Sequence, residues 1–216
     1  MKGLFVKAVV VVTVGVFLTG CTFIFQKGRR SDQEKIEKLS AELQSLQATK
    51  HLLEDRLAQE IDDKQVSLAM MDKGLVITVV GDLLFDSGKD EIRNEAYSLL
   101  SKVSGVLLES ASEFNIGIEG HTDNQPIQYS GWDSNWELSS ARALSVLHYL
   151  VDEEGISPDR LSAIGYGEYR PVASNASEEG QQLNRRVEIV ILPYVQKVRD
   201  NAPAPPSVVP AGQKIK

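Results

Sequence analysis

The stretch that decides the fold runs from residue 114 to residue 143 and reads FNIGIEGHTDNQPIQYSGWDSNWELSSARA. Apolar and polar residues alternate over residues 114–120, which predicts a strand with its two isoleucines on one face. Further on, Ser134 stands three residues before Glu137, the spacing of a capping box at the start of a helix. The sequence therefore predicts a strand and a capped helix joined by a polar connection.

Similar patterns on both sides extend this unit. The β-branched run 75–80 predicts a buried strand, and apolar residues at helical spacing over 92–107 predict an amphipathic helix. Residues 161–164 and 187–191 predict two more strands, separated by a polar loop. The order β-α-β-α-β-loop-β predicts an α+β sandwich with helices on one face of a mixed four-stranded sheet.

A helical segment is expected ahead of this domain, over residues 31–65, which contain no Pro or Gly. Lys50 interrupts its heptad pattern at a position where an apolar residue is expected. The segment is either one helix of a coiled coil, making a homo-oligomer, or an amphipathic spacer lying against another part of the protein. The apolar positions of the pattern are Ile36, Leu39, Leu43, Leu46, Leu53 and Leu57.

The first twenty residues have the features of a secretory leader, with two lysines ahead of an apolar run. The run ends in Leu18-Thr19-Gly20-Cys21, which resembles the lipobox of bacterial lipoproteins. We therefore expect a signal peptide over 1–20, lipidation at Cys21 and a linker over 21–30. The alternative is a transmembrane helix, because Ala8 to Gln26 carries no charge. Cys21 is the only cysteine, so no disulfide within the chain is expected.

Charge and residue types limit the functions that the domain can have. Residues 75–193 contain 19 acidic and 8 basic side chains, a net charge of −11, which disfavours binding to nucleic acid. No other His or Cys stands at metal-ligand spacing from His121, and no hydrolase motif is present in the sequence. The sequence therefore predicts a protein without a cofactor or metal that is not an enzyme.

Several short motifs in one order carry a resemblance. They are Phe85-Asp86-Ser87, Gly120-His121-Thr122-Asp123-Asn124, residues 134–143, Gly165-Tyr166-Gly167 and Asn184-Arg185-Arg186-Val187. Together they closely resemble the OmpA-like peptidoglycan-binding domain, over about residues 75–193. The resemblance implies non-covalent binding of the diaminopimelate side chain of a stem peptide, whose end carries an ammonium and a carboxylate on one carbon.

The resemblance also implies the residues of the binding site. By position in the family motif, Asp123 would take the ammonium, and Arg142 would hold the carboxylate through its planar guanidinium. Asn135 and Leu138 would share the helix face of Arg142, with Asn135 in the first turn, where free backbone donors favour an anion. The other implied ligand-binding residues are Thr122, Phe85, Asp86, Ser87 and Arg185.

Simpler structural roles are the alternatives for these residues. Asp123 is also suited to a turn, and Arg142 to a surface ion pair with Glu137 or Glu119. His121 is expected to make structural hydrogen bonds rather than to bind a metal.

Two further choices are left open by the sequence. Trp132 and Trp136 are expected to pack the long connection, with stacking on glycan as the alternative. Of Arg185 and Arg186, one is expected to tie the last strand to the fold while the other faces the ligand.

The predicted function is that of a lipoprotein held in the outer membrane, facing the periplasm and tethering that membrane to peptidoglycan. Thr22, rather than an aspartate, after the cysteine agrees with export to the outer membrane. One alternative is a larger envelope or stator-like complex, because the connection 125–133 resembles that of the flagellar stator protein. That protein has an acidic residue in its transmembrane helix, and residues 8–26 have none. A wall-trimming enzyme is the third reading, and the Pro-rich tail 194–216 is expected to be disordered.

Overall fold

The computed structural model describes residues 32–127 and 131–193. The predicted leader, Cys21, the linker and the Pro-rich tail all lie outside these residues. Within the described ranges, none of the helices combines the length and the apolar character needed to cross a bilayer.

The centre of the domain is a mixed sheet in the order β1-β2-β5-β3-β4. The strands are β1 (Val66–Met71), β2 (Gly74–Val80), β3 (Asn115–His121), β4 (Leu161–Gly165) and β5 (Arg186–Leu192). Strands β3 and β4 are parallel, and the other neighbouring pairs are antiparallel. The fold class is as predicted, but the sheet has five strands and not four. The additional strand β1 is a half-exposed edge strand that pairs with β2 through a tight hairpin, and it lacks the β-branched run that predicts a strand.

The helices lie on one face of this sheet, because alternate residues of β2, β3 and β5 share a single core with helical side chains. The helices are α1 (residues 32–56), α2 (Ala58–Asp62), α3 (Gly81–Leu84), α4 (Tyr97–Ser110), α5 (Asn135–Asp152) and α6 (Glu178–Asn184). Short 3-10 turns over Asn94–Ala96 and Pro158–Arg160 precede α4 and β4. The helix that the sequence predicts over 92–107 thus begins with a 3-10 turn and ends at Ser110.

The predicted heptad pattern has a buried part and an exposed part in the structure. Leu46, Leu53 and Leu57 are fully buried in the core of the domain, next to α4. The hydroxyl of Thr49 donates to the backbone oxygen of Ser110 at 3.1 Å, which fixes α1 against the end of α4. These leucines cannot also form a seam with a second chain, so the alternative of a coiled coil through the whole of 31–65 is wrong. Only the part of the stripe before Leu46 remains exposed.

Two glycines bring α5 close to the sheet. A Cβ atom on Gly120 of β3 would lie 2.0 Å from the backbone oxygen of Ser139, and one on Gly165 of β4 would lie 2.1 Å from the hydroxyl of Ser140. Hydrogen atoms at these positions therefore allow the first turns of α5 to rest directly on β3 and β4. This packing fixes the helix that carries Arg142.

Candidate functional site

A single pocket collects every ligand-binding residue that the resemblance implies. It has a volume of about 1010 Å³ and opens where residues 85–93, the β3–α5 connection, the start of α5 and the end of α6 meet. The predicted residues that line it are Phe85, Asp86, Ser87, Thr122, Asp123, Asn135, Leu138, Arg142 and Arg185. The structure therefore brings together residues that are as far as 100 positions apart in the chain.

Arg142 is held in a fixed orientation in one wall of the pocket. Its side chain is only 6% exposed, and it donates from Nε to the backbone oxygen of Lys89 at 2.8 Å and from Nη2 to that of Asp86 at 3.1 Å. Its guanidinium lies 5.1 Å from the centre of the Phe85 ring, within the range of a cation–π contact. Burial lowers the pKa of Arg142, with the charges of Asp82 and Asp123 acting in the opposite direction. An arginine fixed and desolvated in this way favours an anionic ligand.

The two surface partners considered for Arg142 are engaged elsewhere. Glu137 accepts from the hydroxyl of Ser134, and Ser134 also accepts from the backbone N–H of Trp136 at 3.1 Å, which confirms Ser134 as the residue that caps α5. Glu119 pairs with Lys73. The alternative of a surface ion pair for Arg142 is therefore wrong, because its guanidinium is buried against backbone oxygens.

Asp123 lies in the pocket with its carboxylate shared between two partners. Oδ1 accepts from the backbone N–H of Gln125 at 3.1 Å, so the predicted role in a turn is confirmed. Oδ2 lies 2.7 Å from Nη1 of Arg185, whose Nε and Nη2 reach the carboxylate of Asp82 at 3.1 and 2.9 Å. The hydrogen bonds to Asp82 and then to Asp123 raise the pKa of Arg185. Asp123 therefore has both roles: its side chain forms the turn, and its carboxylate lines the pocket.

The start of α5 supplies Asn135 and Leu138. The amide nitrogen Nδ2 of Asn135 donates to the backbone oxygen of Gln125 at 3.2 Å and to the carboxylate of Glu168 at 2.9 Å. It thus ties the β3–α5 connection to the loop after β4. Leu138 is buried and adds an apolar patch to the pocket wall.

The loop 85–93 contributes backbone oxygens and further charges. Asp86 and Lys89 form an exposed ion pair at 3.0 Å, and bonds to Lys89 lower the pKa of Asp86. The hydroxyl of Thr122 donates to the backbone oxygen of Asp123 at 2.9 Å, so it braces the connection from within.

Sequence reasoning missed several lining residues, which are Asp82, Lys89, Arg93, Gln125 and Gln181. Lys89 and Arg93 closely follow the quoted Phe85-Asp86-Ser87 motif, which is the signal that would have found them.

The two tryptophans have different surroundings. The indole N–H of Trp132 donates to the backbone oxygen of Gly88 at 3.0 Å, so this ring braces the pocket loop. The ring of Trp136 stacks on Tyr169 with centroids 5.0 Å apart, and both rings remain exposed. The expectation that the tryptophans pack the connection is confirmed for Trp132 by this contact.

Arg186 and His121 lie away from the pocket. Arg186 is buried, and it bonds through Nε to Glu188 at 2.6 Å and through Nη2 to the backbone oxygen of Arg170 at 3.1 Å. It therefore ties β5 to the fold, whereas Arg185 lines the pocket. His121 is buried without a hydrogen bond to either ring nitrogen within the described residues, so the expected hydrogen-bonding role is wrong. Burial, with the charge of Arg186 next in weight, lowers the pKa of His121 to about 3.

The pocket combines charges of both signs. Asp82, Asp86 and Asp123 face it together with Lys89, Arg93, Arg142 and Arg185. A domain with a net charge of −11 thus concentrates half of its basic residues at one opening. Such a site suits a ligand that carries an anion and a cation close together.

Comparison with known proteins agrees with this geometry. Residues 84–185 match the pattern described as the OmpA family. Motility protein B of Bacillus subtilis (strain 168) is 39% identical over 165 residues, which are 76% of this chain and 59% of that protein. The probable lipoprotein YiaD of Escherichia coli (strain K12) is 30% identical over 140 residues, covering 65% of this chain and 61% of that protein. The chain thus spans about 60% of the length of these two relatives.

A solved structure has the same fold. The cell wall anchor of the T6SS from Pseudomonas aeruginosa superimposes with a TM-score of 0.60 and 36% sequence identity. The superposition covers 65% of this chain and 96% of that one. The fold is therefore shared with a protein described as a cell wall anchor.

Proposed function

This chain belongs to the OmpA family, and we propose that its domain over 75–193 binds peptidoglycan non-covalently through the diaminopimelate of stem peptides. The observation that carries the proposal is the placement of Arg142 and Asp123 in one pocket. The fixed guanidinium of Arg142 suits the carboxylate of a zwitterionic ligand, and Asp123 suits its ammonium. The wall anchor from Pseudomonas aeruginosa lends further support.

Loop 85–93 adds to this chemistry. Nε and Nη2 of Arg142 donate to two backbone oxygens of the loop and so hold the pocket wall in place. We infer that Nη1, which has no hydrogen bond to the described part of the protein, is the donor left for the ligand's carboxylate. Lys89 and Arg93 at the rim add positive charge on the same side.

Cosedimentation with purified sacculi tests the proposal. The full-length protein in detergent micelles should pellet with sacculi, and the variants Asp123→Ala and Arg142→Ala should stay in the supernatant. Asp152→Ala, an exposed aspartate at the end of α5, is the matched control and should pellet like the wild type. Circular dichroism of each variant checks that it is folded. If the folded wild type stays in the supernatant, the proposal fails.

The same experiment separates a tether from an enzyme. We propose that the protein is not an enzyme, and its relatives are described as a motility protein and a wall anchor. Retention on sacculi without release of soluble fragments would agree with a tether. Release of fragments by wild type, but not by Asp123→Ala, would instead indicate a wall-trimming activity.

We propose a lipid anchor at Cys21 that holds the protein in the outer membrane, facing the periplasm. The Leu18-Thr19-Gly20-Cys21 sequence and the relative described as a probable lipoprotein support it. Signal peptide 1–20, linker 21–30, helical segment 31–65 and tail 194–216 complete the proposed organisation. Mass spectrometry of the amino terminus tests the anchor, because an acylated Cys21 and an intact leader exclude each other.

A stator-like component of a larger envelope complex is the second candidate. It is favoured by the 39% identity to Motility protein B, which extends over 165 residues and is therefore longer than the 119-residue domain over 75–193. This candidate requires an uncleaved leader that stays in the membrane, so the same mass spectrum decides between the two. In either arrangement we propose that the exposed start of α1 joins two copies of the chain.

A further inference from the structure

A second polar cluster lies on the face of the sheet opposite the core helices. It consists of Glu119 and His121 of β3 and Glu188 of β5, which are 7%, 3% and 5% exposed. Glu119 and Glu188 are direct partners in the register of β3 and β5, so their side chains leave the sheet side by side. One ligand atom from each of the three residues lies within 4.8 Å of the others. None of the three is among the residues that line the pocket.

The two carboxylates of this cluster already hold a cation. Like charges directly opposite each other in a sheet are destabilising, and here Lys73 offsets them. Its Nζ lies 2.6 Å from Oε2 of Glu119 and 2.6 Å from Oε2 of Glu188. Lys73 comes from the β1–β2 turn, and its side chain is 35% exposed. The space between the carboxylates therefore accepts positive charge from a flexible side chain that reaches solvent.

His121 is the part of the cluster that Lys73 leaves unexplained. Neither ring nitrogen has a hydrogen bond partner within the described residues. Nε2 lies 3.9 Å from Oε2 of Glu119 and 3.8 Å from Oε1 of Glu188, which is too far for a hydrogen bond but close to both carboxylates. An unpaired polar group in the interior is destabilising, so such groups usually have a partner or a function.

We propose that Glu119, His121 and Glu188 form a binding site for a divalent transition-metal ion such as Zn²⁺. The ligands are Nε2 of His121 and one oxygen from each carboxylate, the atom types that bind Zn²⁺ in proteins. In tetrahedral zinc coordination the ligand atoms lie about 3.4 Å apart. The two distances from His121 therefore need to shorten by only about half an ångström.

Binding of the metal exchanges one cation for another. The ammonium of Lys73 moves into solvent, and the divalent ion takes its place between the two carboxylates. Arg186 keeps its bond from Nε to Oε1 of Glu188, 2.6 Å long, and so orients this carboxylate toward the metal. The ion would link β3 to β5 on the side of the sheet that the helices do not cover.

Metal uptake by the full-length protein in detergent micelles tests this proposal. We expect equilibrium dialysis against Zn²⁺ to give one ion per chain, and Co²⁺ to give the visible absorption of a tetrahedral site. His121→Gln and Glu119→Gln should weaken binding at least tenfold because each removes a ligand. Lys73→Met should tighten it at least tenfold because the competing ammonium is gone.

The control is an exposed histidine beside an acidic residue. His148 lies 3.7 Å from Asp152 on the surface of α5, and His148→Gln should leave Zn²⁺ uptake unchanged. Urea unfolding of every variant in EDTA shows that each is folded, and Zn²⁺ should raise the midpoint of wild type but not of His121→Gln. The proposal is overturned if wild type takes up no more Zn²⁺ than His121→Gln does. It makes no use of the pocket, so failure to bind sacculi does not affect it.

Discussion

Arg185 joins Asp123 to Asp82: its Nη1 lies 2.7 Å from Oδ2 of Asp123, and its Nη2 lies 2.9 Å from Oδ2 of Asp82. The guanidinium therefore lies between two carboxylates of the pocket. A ligand ammonium that approaches Asp123 has to share this anion with Arg185. The ion pair thus keeps the Asp123 carboxylate oriented before a ligand arrives.

The pair should show energetic coupling in a double-mutant cycle. Arg185→Gln leaves the buried Asp123 carboxylate without its cation, so we expect the free energy of unfolding to fall by about 1–3 kcal/mol. Asp123→Asn should remove most of that penalty, so the double variant should be more stable than the sum of the single changes predicts. Urea unfolding of the four proteins measures the coupling, and strictly additive changes would contradict the assigned contact.

Arg142 should not be replaceable by lysine. A lysine keeps the charge but cannot donate to the backbone oxygens of both Asp86 and Lys89 in the geometry of a guanidinium. We expect Arg142→Lys to lower the affinity for sacculi at least tenfold and to destabilise the fold by about 2 kcal/mol.

A second arginine provides the matched control for this change. Arg160 also donates to two backbone oxygens, those of Ala111 and Phe114, at 2.5 and 3.0 Å and away from the pocket. Arg160→Lys should cost similar stability but leave retention on sacculi unchanged. Equal loss of retention in both variants would mean that the effect of Arg142→Lys is one of stability alone.

The sequence predicts local features, such as a helix cap, better than it predicts which elements pack against each other. The cap formed by Ser134 and Glu137 was predictable because both residues lie within one turn of each other. The heptad pattern shows that Leu53 faces something apolar, but the same pattern fits a second chain or the helix α4 of the same domain. Only the three-dimensional packing decides between them. Strand β1 was missed because only Val66 of its six residues is β-branched, and its Leu, Ala and Met residues favour helices.

The candidate site shows the same limit. The motif order marks Asp123, Arg142 and Arg185, but not that Arg185 also binds Asp82 or that Arg142 is fixed by backbone oxygens. Such contacts join loops distant in the chain, and backbone acceptors have no signature in the sequence. His121 is a related example, because only the folded structure shows that no neighbouring group among the described residues forms a hydrogen bond with its ring.

Gly120 should be intolerant of a methyl group. A Cβ at this position would meet the backbone oxygen of Ser139 at 2.0 Å, so α5 would have to move away from the sheet. We expect Gly120→Ala to lower the free energy of unfolding by about 3 kcal/mol or more. On the same strand, a Cβ on Gly117 would have no neighbour nearer than 3.8 Å, so Gly117→Ala should change it by less than about 1 kcal/mol. Thermal or urea unfolding compares the two, and equal effects would exclude the close approach of α5.

The buried His121 should make stability depend on pH. Burial lowers its pKa from 6.5 to about 3, so between these values the unfolded chain binds a proton that the folded protein does not. This contribution to stability is therefore fully present above pH 6.5 and is lost as the pH falls toward 3, by at most about 1.4 kcal/mol per pH unit. Urea unfolding in EDTA at pH 7.5 and 5.5 measures it, and His121→Gln should reduce the loss. A loss of the same size in His121→Gln would show that other groups cause it.

Two leucines of α1 should behave in opposite ways, because one faces the core of its own domain and the other faces outward. Leu53 is fully buried, so Leu53→Ala should reduce the free energy of unfolding by about 2–5 kcal/mol. Leu39 is 65% exposed beside Ile36 and Leu43, so Leu39→Ala should leave that energy within about 0.5 kcal/mol of wild type. If the exposed stripe joins two chains, Leu39→Glu should abolish crosslinked dimers of the full-length protein, because it places a charge in the apolar seam. Dimers that persist in Leu39→Glu would remove the stripe from the interface, and a stable Leu53→Ala would contradict the packing of α1 on the domain.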